Sequence, residues 1–87
     1  MAKLIVNHQV ADFTKWKATF DALDPVRKKY GCQSIKVFQE QGNPRDVVII
    51  TSWGSKDQAK KYSESPELKE GLKNGGVVGA PSMYLLD

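Results

Sequence analysis

The residues best equipped for chemistry in this chain are an amide and an imidazole side by side. Asn7 and the sole histidine, His8, stand inside the otherwise apolar run Leu4-Ile5-Val6-Asn7-His8-Gln9-Val10. Two indoles, Trp16 and Trp53, and two phenols, Tyr62 and Tyr84, complete the set. Together they offer broad apolar surface and a few hydrogen-bonding atoms, which is what a site needs to hold a small aromatic molecule and orient its polar tip. Donors aimed at an oxygen that gains charge can also help that oxygen ionise. The same residues have structural uses. His8 can be hydrogen-bonded in the core or at an interface, Asn7 can tie down a loop, Trp16 and Trp53 can be core, and Tyr62 can sit at its boundary.

Other chemistries find no support in the spacing. No His/Cys/Asp/Glu pattern suits a metal, no glycine-rich loop joins a strand to a helix, and no nucleophile is followed by a base. The glycines of Gly75-Gly76-Val77-Val78-Gly79 precede a strand, which is the wrong place for a phosphate. Cys32 is the only cysteine, so it forms no intrachain disulfide and reads as a small buried residue at the start of a strand. The net charge of +3 comes from lysines and arginines scattered along helical segments among Asp and Glu. Solvated helix faces look like this, and a nucleic-acid footprint is denser. No run is long enough to cross a bilayer and no signal segment is visible, so the expected location is the cytoplasm.

The elements that must position these residues follow from periodicity. After the first strand, Asp12 can cap a helix whose inner face is Phe13, Trp16, Phe20 and Leu23. Asp24-Pro25 kinks or restarts it, and Gly31 closes a helical region spanning residues 12–30. Gln33–Gln39 and Val47–Trp53 read as an antiparallel hairpin about the turn formers of residues 41–46. Ser55 and Gln58 match a capping box, and Ser65-Pro66 restarts the second helical region with Leu68 and Leu72 as its buried pair. Residues 75–81 are too rich in glycine to be regular, and Ser82–Leu86 forms the last strand. The order is β-α-β-β-α-β, a ferredoxin-like α+β fold in a single domain over residues 1–87.

Both faces of the sheet are apolar. Val47 and Ile49 oppose Val48 and Ile50 on the third strand, and Met83 and Leu85 oppose Tyr84 and Leu86 on the last. Two helices cover only one face, so the second is expected to be covered by another copy of the chain, as a homodimer packed sheet to sheet.

With that order in place, the chain resembles the dimeric α+β barrel group, in particular the small proteins related to antibiotic-biosynthesis monooxygenases. The resemblance spans nearly the whole sequence. It rests on His8-x-Val10 followed by Asp12-Phe13-x-x-Trp16-Lys17 and Phe20-Asp21, on Thr51-Ser52-Trp53, on Ser65-Pro66-Glu67-Leu68-Lys69, and on Gly76-Val77-Val78-Gly79-x-Pro81. It implies two sheets forming a barrel and a pocket in each subunit between sheet and helices. Some such proteins oxygenate aromatic phenols without metal or flavin, and others degrade haem. In the haem-degrading branch the resemblance places a functional asparagine at Asn7, a tryptophan at Tyr62 and the haem-ligating histidine near Leu72, which cannot bind iron. In the oxygenase branch it places a histidine where Tyr62 stands.

The expectations are therefore as follows. Asn7 anchors a ligand in the sheet–helix pocket while His8 faces the dimer interface, or, if the pocket lies on the His8 side, the two exchange roles; the ligand-binding candidates are Asn7, His8, Trp16, Trp53, Tyr62 and Tyr84. The ligand is small and apolar or aromatic, and no cofactor is required. The activity is a cofactor-independent oxygenation of an aromatic or enolic substrate; a non-catalytic dimeric module that binds or senses a ligand is the alternative.

Overall fold

Prolines, glycines and short polar caps cut the chain into its elements. The computed structural model describes residues 2–86. The elements are β1 (Ala2–Val10), α1 (Phe13–Ala22), α2 (Asp24–Tyr30), β2 (Cys32–Glu40), β3 (Asn43–Trp53), α3 (Lys56–Ser63), α4 (Pro66–Asn74) and β4 (Val77–Leu86). The Asp12 carboxylate caps α1 by accepting from the amides of Thr14 and Lys15. Pro25 occupies the first turn of α2, where a missing N–H costs nothing, so of the two expected outcomes, a kink or a restart, the chain takes the restart, with a break at Leu23. Gly31, at φ 104°, ends α2 in the left-handed conformation. Ser55 accepts from the Gln58 amide to cap α3. Ser65 does the same for Leu68 at the start of α4 and donates its own proton to the Tyr62 carbonyl.

The four strands form one sheet in the order β2-β3-β1-β4, with every neighbouring pair antiparallel. The helices pack on one face of this ferredoxin-like α+β sheet. There Leu4, Val6 and Val10 of β1 and Val47, Ile49 and Trp53 of β3 meet Trp16, Ala59, Tyr62 and Leu68. Leu72, expected to be buried beside Leu68, is only partly covered, and Cys32 is half-buried.

Two boundaries differ from expectation. β4 begins at Val77, opposite Val10, and not at Ser82. Its register shifts where Asn7 pairs Ser82 and Gln9 pairs Val78, so Gly79, Ala80 and Pro81 form an irregularity opposite His8. Gly79 at φ 74° and donor-less Pro81 are compatible with a bulge, so glycine content here bends a strand without ending it. β3 likewise begins at Asn43, four residues early, because the hairpin closes at Glu40 and Asn43 and a register shift absorbs Pro44.

The other sheet face carries Ile5, Val48 and Ile50, half-buried, with Phe38 49%, Tyr84 56% and Leu86 44% exposed. The sheet is thus apolar on both sides, as its strands predict.

Candidate functional site

Side chains alternate along a strand, so Leu4, Val6, His8 and Val10 all face the helices. Between them and the helices lies a cavity of about 40 Å³. Leu4, Val6, His8, Ile49 and Thr51 line its sheet side; Trp16, Phe20, Arg27, Tyr62, Leu68 and Leu72 line its helix side. As it stands that volume suits water, and an aromatic ring fits only where the side chains at its mouth move aside. The partly exposed lining residues Thr19, Phe20, Leu23, Gly71 and Leu72 mark its mouth, between the α1 end and α4.

His8 is 5% exposed, and neither ring nitrogen has a hydrogen-bond partner. Its edge meets the Trp16 ring at 5.5 Å between centroids and 73° between planes. Burial holds its pKa below the ordinary histidine value, with the Asp46 carboxylate partly opposing. The ring is therefore neutral at neutral pH, with one nitrogen able to accept a proton.

This has a stability consequence. Above about pH 6.5 the ring is neutral in both folded and unfolded chains and contributes no pH dependence. Below it the unfolded chain binds a proton that the buried ring resists, so stability is lost as pH falls toward the depressed folded value. The slope is at most about 1.4 kcal/mol per pH unit. Urea unfolding midpoints measured between about pH 7.5 and about pH 5 should fall with acidity, and His8→Phe should flatten that component. An unchanged slope in the variant would refute it.

Arg27 is 2% exposed. Its Nη2 donates to the Phe20 carbonyl at 2.6 Å, and its guanidinium lies 3.8 Å above the centre of the Phe20 ring. The nearest carboxylate oxygen, Asp24 Oδ1, is 3.8 Å from Nη2, and the other oxygen of Asp24 pairs with Lys28 at 3.0 Å. Nε and Nη1 are buried without partners. Burial raises the Tyr62 pKa and Arg27 beside it opposes the rise, so Tyr62 stays a neutral phenol and cannot serve as a base. Thr51 is already engaged: its hydroxyl donates to the Leu4 carbonyl at 2.9 Å and accepts from Trp53 Nε1 at 2.7 Å.

A family model for antibiotic biosynthesis monooxygenases matches residues 10–74. The chain belongs to the antibiotic biosynthesis monooxygenase family. No curated protein matches it in sequence. Among solved structures it is similar to SnoaB, a cofactor-independent oxygenase from Streptomyces nogalater, at TM-score 0.80 and 11% identity, covering 99% of this chain and 90% of that one. It is also similar to an antibiotic biosynthesis monooxygenase at TM-score 0.75 and 15% identity, covering 100% and 97%. A conserved protein from Methanosarcina mazei Go1 gives TM-score 0.75 at 17% identity, covering 97% and 88%. Likeness at these identities carries the fold alone.

Within this family frame, the sequence-derived candidates separate. Trp16 and Tyr62 line the cavity. Asn7 does not: it lies on the opposite face, where its Nδ2 donates to Asp46 Oδ1 at 2.8 Å and to the Val47 carbonyl at 3.1 Å. His8 takes the place expected of Asn7, because the strand's alternation puts it with Leu4 and Val6. Trp53 is fully buried but is not among the cavity's lining residues; its ring is tilted against Tyr62 at 5.0 Å. Tyr84 is exposed on the open face. Arg27 is a lining residue that sequence reasoning misses; its one signal is the stripe Phe13, Trp16, Phe20, Leu23, Arg27 and Tyr30, which runs on across the break at Leu23. Among the described residues no cluster of three or more His, Cys, Asp or Glu could hold a metal, and no helix is long and apolar enough to cross a membrane.

Proposed function

We propose that the protein is a homodimer, packed through its open sheet faces, that binds a small aromatic or enolic molecule in the cavity beneath each sheet and oxygenates it without a cofactor. The observation that carries this reading is the neutral, partnerless imidazole of His8 buried in an apolar cavity that the Arg27 guanidinium also lines. An imidazole in that state is a competent base for a phenol or enol, and the Arg27 charge favours the anion that results.

The chemistry balances without an external reductant. His8 takes the hydroxyl proton, and the electron-rich ring carbon of the anion adds dioxygen. One oxygen atom stays on that carbon as a carbonyl, and the other leaves as water with the displaced ring hydrogen and the proton returned from His8. The substrate carbon is oxidised and dioxygen is fully reduced, so a phenol becomes a quinone plus water.

Oxygen uptake with 1-naphthol and a panel of polycyclic phenols and quinols tests it. Turnover above the spontaneous rate, reduced about 100-fold or more in His8→Phe, is the expected result. Uptake unaffected by His8→Phe would refute the assigned base. A second reading, a ligand-binding or sensing module, is favoured by Tyr62, a neutral phenol that gives the cavity no base on the later helix. Tight binding of the panel with no oxygen uptake would establish it instead.

A further inference from the structure

The cavity holds two polar side chains whose hydrogen-bonding capacity is unspent, and they differ in charge. His8 is neutral, with both ring nitrogens unpartnered, whereas Arg27 is a guanidinium with Nε and Nη1 unpartnered. Both are more than nine-tenths buried. An arginine taken out of water without a close carboxylate is costly, and among the described residues the only carboxylate paired with it, Asp24, is 3.8 Å away and shared with Lys28. Among the described residues no acidic side chain lines the cavity. The space is therefore apolar walls around one weakly compensated positive charge and one neutral donor-acceptor ring.

We propose that the ligand is a small aromatic acid carrying one ionised carboxylate and one phenolic or enolic hydroxyl, the carboxylate set against Arg27 and the hydroxyl against His8. This rests on the cavity being the ligand site, and it narrows the ligand class beyond that reading. The negative charge supplies the missing partner for Nε and Nη1, and charge-assisted hydrogen bonds to a carboxylate are about twice as strong as neutral ones. The aromatic body packs against Trp16, entering through the mouth between α1 and α4 as the partly exposed Phe20 and Leu72 side chains move aside. A neutral hydrocarbon of equal size leaves the guanidinium unpaired, and a cation is repelled.

Titration calorimetry with 1-naphthoate, 1-naphthamide and 1-naphthylmethylamine isolates charge, because the three share one ring system. The acid is expected to bind the full-length protein about tenfold or more tighter than the amide, with the amine weakest. In Arg27→Met, which keeps an apolar stem, the ratio of acid to amide is expected to fall close to one. Should Arg27→Met not fold, the comparison on the native protein decides alone. Equal affinity of acid and amide, or a preference for the amine, overturns the acid assignment while leaving the cavity as a ligand site. Failure of all three to bind overturns this proposal together with the site itself.

Discussion

Trp16→Ala is expected to remove most of the stability of the fold. The indole is 3% exposed, stacked on Phe20 at 4.9 Å and 25°, and in edge contact with His8. It is the side chain through which α1 grips β1. Truncating a buried tryptophan to alanine costs about 3–5 kcal/mol, the lost transfer energy plus a cavity that neighbours only partly refill. Here the void would merge with the existing one of about 40 Å³, so collapse gives little relief. A chain of 87 residues has roughly 4–13 kcal/mol of stability in all. Guanidinium unfolding followed by the remaining Trp53 fluorescence is expected to show a lowered midpoint or no folded baseline. A loss under about 1 kcal/mol would mean that Trp16 is not the anchor of α1.

Ile50→Asp is expected to convert a dimer into a monomer. Ile50 lies on the interior strand β3, paired with Ile5 of β1, at the middle of an apolar face that continues through Val48, Phe38, Tyr84 and Leu86. If two copies bury this face, a two-fold axis doubles the effect of any substitution, since each chain contributes one buried carboxylate. An unpaired buried charge costs several kcal/mol, so dissociation should rise by more than about 1,000-fold. Light scattering at micromolar concentration is expected to give twice 9.7 kDa for the native chain and a single chain for the variant. A native chain that scatters as a monomer would leave the open face uncovered and remove the barrel.

The fold was legible because its signals agree at every level. Asp12, Ser55 and Ser65 announce three helix starts, Gly31 one helix end, and the alternation of β1 and β3 sorts the strand faces. The same alternation also contained the site, since Leu4, Val6 and Val10 share their parity with His8 and not with Asn7. Asn7 was preferred through family likeness, and the structure gives it a bond to Asp46 that a local reading of β1 cannot see, because Asp46 is 39 residues away. Arg27 was hidden for another reason. It reads as one more basic residue beside Lys28 and Lys29 unless the helical stripe is carried across Leu23, and whether a stripe survives a helix break depends on tertiary packing. The bulge in β4 escaped because glycine and proline mark both the ends of strands and the bends within them.

The central claim, that the His8 side of β1 is the ligand site, is tested most directly by nitrogen NMR of the single imidazole, with 1-naphthol added in the absence of oxygen. The free protein should show a neutral ring near pH 6.5, since burial depresses its pKa. On addition, both ring nitrogens are expected to shift while the Asn7 side-chain amide, held by Asp46 on the other face, stays in place. A shift confined to Asn7, with the His8 signals unmoved at saturation, would contradict the account.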